Sequence, residues 1–134
     1  MEKIILKPKA VGEPIGAYSH AFKFTARQWI AVAGQVGLDG QGRLAGPDIK
    51  TQTRQAFENV RAVLEAGGAT FANVVKFMTF LRNEADIPGF MEARNELFPR
   101  YFPDKAYPPN TLLVVKRLVR DELLVEIEAL AALD

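Results

Sequence analysis

The chain has 134 residues, 49% hydrophobic and 25% charged, a composition within the range of ordinary globular proteins. A formal charge of +1 argues against a clustered basic face for nucleic acid. No run approaches the ~18 apolar residues of a membrane span, and no charged-then-apolar leader opens the sequence, so a cytoplasmic location away from the membrane is expected.

Cysteine is absent, which removes disulfides, thiolate nucleophiles and Cys-ligated metals, and histidine occurs once, as His20, so a zinc site built from this chain alone is not expected. With no internal repeat or linker, residues 1–134 read as one domain, a length that buries roughly two-thirds of its unfolded surface.

In chain order, "KIILKP" (3–8) predicts a short strand stopped by Pro8. "AFKFTA" (21–26) alternates apolar and polar residues as a half-buried strand does, and "RQWIAVAG" (27–34) reads as its hairpin partner. "GLDGQGRLAG" (37–46) is loop; no lysine follows in Walker spacing, so a turn cluster is expected rather than a phosphate cradle. From Asp48 to Ala66 the spacing of Ala56, Phe57, Val60, Val63 and Leu64 predicts a helix. Asp48 suits its start and Gly67-Gly68 its end.

"NVVKFMTFLR" (73–82) reads as a central strand covered on both faces, where another subunit could supply part of the cover. "DIPGFMEARNELFPRYF" (86–102) predicts a second helix, with Pro88 in its first turn, Phe90, Leu97, Phe98 and Tyr101 on the buried side, and Pro99 and Pro103 ending it. "NTLLVVKRL" (110–118) and "ELLVEIEALA" (122–131) complete the set as strands. The order implies an α+β fold, a mixed β-sheet with two helices packed on one face.

Three segments carry chemical interest. In the last strand, Leu123, Val125, Ile127 and Ala129 are expected to face the helices, while Leu124, Glu126, Glu128 and Leu130 face away. Two carboxylates between leucines fit either a partly wet assembly surface or an exposed face with gatekeeping charges. In "PIGAYSHA" (14–21), Gly16 permits an unusual backbone angle and Tyr18 offers a phenol. "AGQVG" (33–37) ends a strand at a glycine, which allows close approach by a ligand or another chain.

Together, "PIGAYSHA", "WIAVAGQVGLDGQGRLAG", "QTRQAFENVRAVLEAGGATFANVVKFMTFLRN" and "LLVEIEALA" resemble the reactive intermediate deaminase family, called RidA or YjgF-like. The likeness runs in order from about Pro14 to Ala131. It implies a chorismate-mutase-like fold, a homotrimer, and small-molecule sites in clefts between subunits. Studied relatives hydrolyse enamine and imine acids such as 2-aminoacrylate without a cofactor. An arginine grips the substrate carboxylate with paired hydrogen bonds, a glutamate handles water, and a tyrosine closes the pocket.

Carried over by this resemblance, Tyr18 matches the tyrosine, Gly34 the strand-end glycine and Glu126 the glutamate. The arginine does not match: where deaminating members read Pro-Ala-Arg-Ser, this chain has Pro108, Pro109, Asn110 and Thr111. An asparagine of the second helix is replaced by Met91. Losing one buried charge-assisted contact costs about 2–5 kcal/mol, so poor hydrolysis of 2-iminopropanoate is expected, and Asn110 suits a neutral polar group. Arg94, one helical turn beyond Met91, and Arg117 could in principle restore a cation, but both are read first as surface or interface ion-pair residues.

Three functions follow. The first is a hydrolase of enamine or imine metabolites with altered specificity. The second is a non-catalytic trimer that binds a metabolite or serves a regulatory role. The third, translation inhibition or ribonuclease activity, has little physical support because the chain lacks a basic and aromatic stripe.

Overall fold

The computed structural model describes residues 1–134. Six strands and two helices form: β1 (Lys3–Leu6), β2 (Ala21–Phe24), β3 (Gln28–Val36), α1 (Ile49–Ala66), β4 (Val74–Leu81), α2 (Ile87–Tyr101), β5 (Asn110–Val114) and β6 (Val125–Leu133). A four-stranded mixed sheet has the order β3-β6-β4-β5. Only β4 and β5 run parallel, and α2 makes the crossover that parallel neighbours require.

β2 pairs with β1, Ile5 opposite Phe22, in a separate two-stranded sheet, and β3 pairs with β6. The expected hairpin between segments 21–26 and 27–34 is therefore absent. The connection Thr25-Ala26-Arg27 contains none of the glycine or asparagine residues that a tight primed turn needs. The Arg27 N–H instead donates to the Leu133 carbonyl, which directs β3 onto β6.

Helix α1 starts where the Asp48 carboxylate accepts the Thr51 N–H at 2.9 Å, and it stops at Gly67, followed by Gly68 at φ +76°. Ala56, Phe57, Val60 and Leu64 are buried, whereas Val63 stands 37% exposed at the stripe's edge. Helix α2 continues through Pro99 to Tyr101. Proline there forfeits one hydrogen bond in the last turn, and burial of Leu97, Phe98 and Phe102 against the core outweighs it.

The core lies between the helices and one sheet face. Phe57 sits at its centre, with ring centroids 5.7 Å from Phe77, 5.6 Å from Phe98 and 6.4 Å from Phe90. Leu123, Val125, Ile127 and Ala129 are all buried on this side, as the alternation requires.

The opposite face of the sheet has no helix. It carries Lys76, Met78, Phe80, Glu126, Glu128 and Leu130, all half-buried except the exposed Glu128. Strand β4 is thus covered by helices on one side only.

Candidate functional site

The carboxylate of Glu126 lies on the open face, opposite Phe80 of β4. Beside it, the β3–β6 register shifts between Val32 and Gln35, so Ala33 and Gly34 form a bulge. The bulge brings Gly34 so close that an added Cβ would stand 2.6 Å from Cγ, Cδ and Oε2 of Glu126. The approach that this glycine permits is made by the chain's own carboxylate. Burial, and then the charge of Glu128, push the Glu126 carboxyl above its ordinary pKa. Thr111 also faces this side, where its hydroxyl accepts from Lys76 Nζ at 3.1 Å.

Asn110 occupies the other face. It opens β5 opposite Phe77, and Thr79 Oγ1 donates to its Oδ1 at 2.9 Å. With that oxygen occupied, the Asn110 amide has its NH2 left to donate. The side chain enters a crevice lined by Ala17, Thr79, Arg94 and four phenylalanines, too narrow to hold a water molecule.

Arg94 contradicts its sequence reading. It is 4% exposed, forms no salt bridge, and its Nε has no hydrogen-bond partner. Its guanidinium lies over the rings of Phe90 at 5.4 Å and Phe98 at 5.9 Å. Burial pulls its pKa down, opposed by the nearby Tyr18. A signal was present in the sequence, because Arg94 stands four residues from both Phe90 and Phe98 and so falls on the apolar stripe of α2. Arg117, by contrast, is an exposed residue paired with Asp121 at 3.5 Å, as a surface ion pair should be.

Tyr18 approaches from the turn that follows Pro14. Its N–H donates to the Gly16 carbonyl at 2.9 Å, and its hydroxyl accepts weakly from the Ile15 N–H at 3.4 Å. The ring borders a groove of about 300 Å3 lined also by Lys7, Lys9, His20, Lys105 and Tyr107. Next door, Ala17 lines the crevice of Arg94 and Asn110, so the two spaces adjoin through consecutive residues. Met91 packs half-buried at the edge of the core and does not line either space.

The candidate residues thus form two groups. Gly34, Thr111 and Glu126 belong to the open face, and Tyr18, Arg94 and Asn110 to the helix side of the sheet. No group of three or more His, Cys, Asp or Glu side chains is arranged to hold a metal ion, and no helix is long and apolar enough to cross a membrane.

A mixed sheet with both helices on one side, and a carboxylate held over a bulged glycine on the other, defines a two-layer α+β protein with a polar site on its sheet. Residues 8–133 match the family described as Endoribonuclease L-PSP. A RutC family protein of Pyrococcus horikoshii is 37% identical over 132 residues, covering 98% of each chain. A 2-iminobutanoate/2-iminopropanoate deaminase of Dermatophagoides farinae is 34% identical over 129 residues, covering 95% of this chain and 98% of the relative. Among solved structures, a protein of unknown function of the conserved Rid family from Yersinia pestis superposes with a TM-score of 0.86 at 31% identity, covering 99% of this chain and all of that one. The chain belongs to this family, the RidA/YjgF proteins.

Proposed function

We propose that this protein hydrolyses small reactive imines or enamines to carbonyl compounds and ammonia, at sites completed between copies of the chain in a homotrimer. The division of the candidate residues between two sheet faces carries this reading. One chain offers the Glu126 carboxylate on its open face and the Arg94 and Asn110 N–H groups in a crevice on its other side. A neighbouring copy packed on the open face would bring the second half to the first. The half-buried Met78, Phe80 and Leu130 favour such packing.

In the reaction, ionised Glu126 takes a proton from water as its oxygen attacks the imine carbon. The C=N electron pair moves to nitrogen, which takes up the proton that Glu126 received, regenerating the carboxylate. Glu126 then carries the hydroxyl proton of the resulting tetrahedral aminol to the nitrogen, so the C–N bond breaks and ammonia leaves as the C=O bond forms. An enamine enters the same path after tautomerising to the imine. Gly34 sets the position of the carboxylate, Thr111 lies on the same face, and Tyr18 shapes the pocket from the other half. Asn110, standing where the resemblance calls for arginine, changes which substrates are held. The names of deaminating relatives support the reaction class.

The test is direct. The purified protein is added to 2-iminobutanoate generated in place by an amino-acid oxidase, and loss of the imine is followed. Faster loss that disappears in Glu126→Gln supports hydrolysis. Binding of the keto-acid product without any acceleration would make this a metabolite-binding protein instead.

A further inference from the structure

Resting on the hydrolase reading, we propose that Arg94 on α2 is the group that grips the carboxylate of the substrate, with the Asn110 amide as a second donor. The structure holds a guanidinium that is almost wholly buried and has no anion within the chain to pair with. Buried charges in folded proteins are ordinarily paired, because an isolated one loses its hydration without recompense. Its Nε is buried without a partner, and the crevice beside it has no room for a water molecule. The rings of Phe90 and Phe98 cover the guanidinium and hold it, but their attraction does not satisfy its N–H groups.

The groups around it are matched to an anion. Thr79 occupies the Asn110 oxygen, so Asn110 and Arg94 both have N–H groups to offer in one crevice. A carboxylate accepts from a guanidinium fork through two oxygens and still has lone pairs for an amide. Phe57, Phe77, Phe90 and Phe98 supply an apolar floor suited to a short hydrocarbon chain.

Gly16 makes the arrangement possible from above. A Cβ there would stand 2.9 Å from Arg94 Nη2, so a larger residue would push the guanidinium from its present place. Because the crevice has no free space, a carboxylate can enter only as its walls give way. The uncharged residue at 110 therefore leaves acid substrates within the protein's range, the cation being supplied from α2.

The experiment uses two stable probes, 2-oxobutanoate and its neutral amide 2-oxobutanamide, in calorimetric titrations of the assembled protein. The parent is expected to prefer the acid. Arg94→Met should weaken acid binding about thirtyfold or more and change amide binding little, and Arg94→Met/Asn110→Arg should recover the acid. Asn110→Asp, which places a carboxylate beside Arg94 in an otherwise intact fold, should block the acid as an internal competitor. Equal binding of acid and amide by the parent overturns the proposal. So does acid binding indifferent to Asn110→Asp or to a folded Arg94→Met.

The two readings fail separately. Acid binding that needs Arg94, without imine hydrolysis, removes the hydrolase reading alone. Hydrolysis with acid binding indifferent to Arg94 removes this one alone.

Discussion

Replacing Gly34 by alanine tests how the carboxylate is positioned. The new methyl would stand 2.6 Å from three atoms of the Glu126 side chain, whereas ordinary contact begins near 3.4 Å. The carboxylate must therefore retreat by about 0.8 Å. It can do so by rotating its own χ angles, since the clash is with a flexible side-chain end and not with backbone, at a cost of about 1 kcal/mol. Misplacing a catalytic group by roughly 1 Å lowers the rate on the order of 100-fold. Initial rates on 2-iminobutanoate, alongside thermal melting, should show a large fall in kcat/KM with a small change in Tm. Because both substitutions act through one carboxylate, adding Gly34→Ala to Glu126→Gln should cost little more than Glu126→Gln alone. A Gly34→Ala protein within threefold of the parent would refute the positioning argument.

Three further outcomes follow. Burial and Glu128 raise the Glu126 pKa above its ordinary 4.5, so activity that needs the ionised form should fall as pH drops through that raised value, and Glu128→Gln should move the acidic limb of a kcat/KM profile downward. The folded state then holds a proton the unfolded state has released between 4.5 and the raised value, so stability should fall as pH rises through that window, and Glu126→Gln should flatten the slope in pH-dependent denaturation. Gln52→Leu should destabilise by about 3 kcal/mol, roughly 10 °C in Tm by calorimetry. The buried Gln52 amide donates to the Gly46 and Glu122 carbonyls and accepts the Leu124 N–H at 2.8 Å, all of which would lose their partner.

The helices and the last strand were legible because their periodicity is long and local. Phe57, Val60 and Leu64 recur at helical spacing, and Leu123 to Ala129 alternate without a break. Strand partners were harder to read. Adjacency in sequence suggested that 21–26 and 27–34 pair, but β3 finds β6, almost a hundred residues away, through contacts that no local window contains. Motif resemblance singled out Tyr18, Gly34, Asn110 and Glu126 as candidates, which the structure divides between the two faces of the sheet. Gln52 was missed, and Arg94 was read first as a surface residue, because a polar residue on a helix is ordinarily solvated. Gln52 lies four residues before Ala56 and Arg94 midway between Phe90 and Phe98, so each falls within an apolar stripe, where it must find a partner or serve a ligand.

A site shared between chains is tested most directly by mixing two damaged proteins. Glu126→Gln and Tyr18→Ala, each poorly active when assembled alone, are unfolded together in equal amounts and refolded into mixed trimers. Each site would draw its carboxylate from one chain and its tyrosine from the neighbour, so about a quarter of the sites receive two intact halves under random cyclic assembly. Recovery to about a quarter of parental imine hydrolysis is the expected result. Mixed trimers no more active than the average of the two separate variants would contradict a shared site.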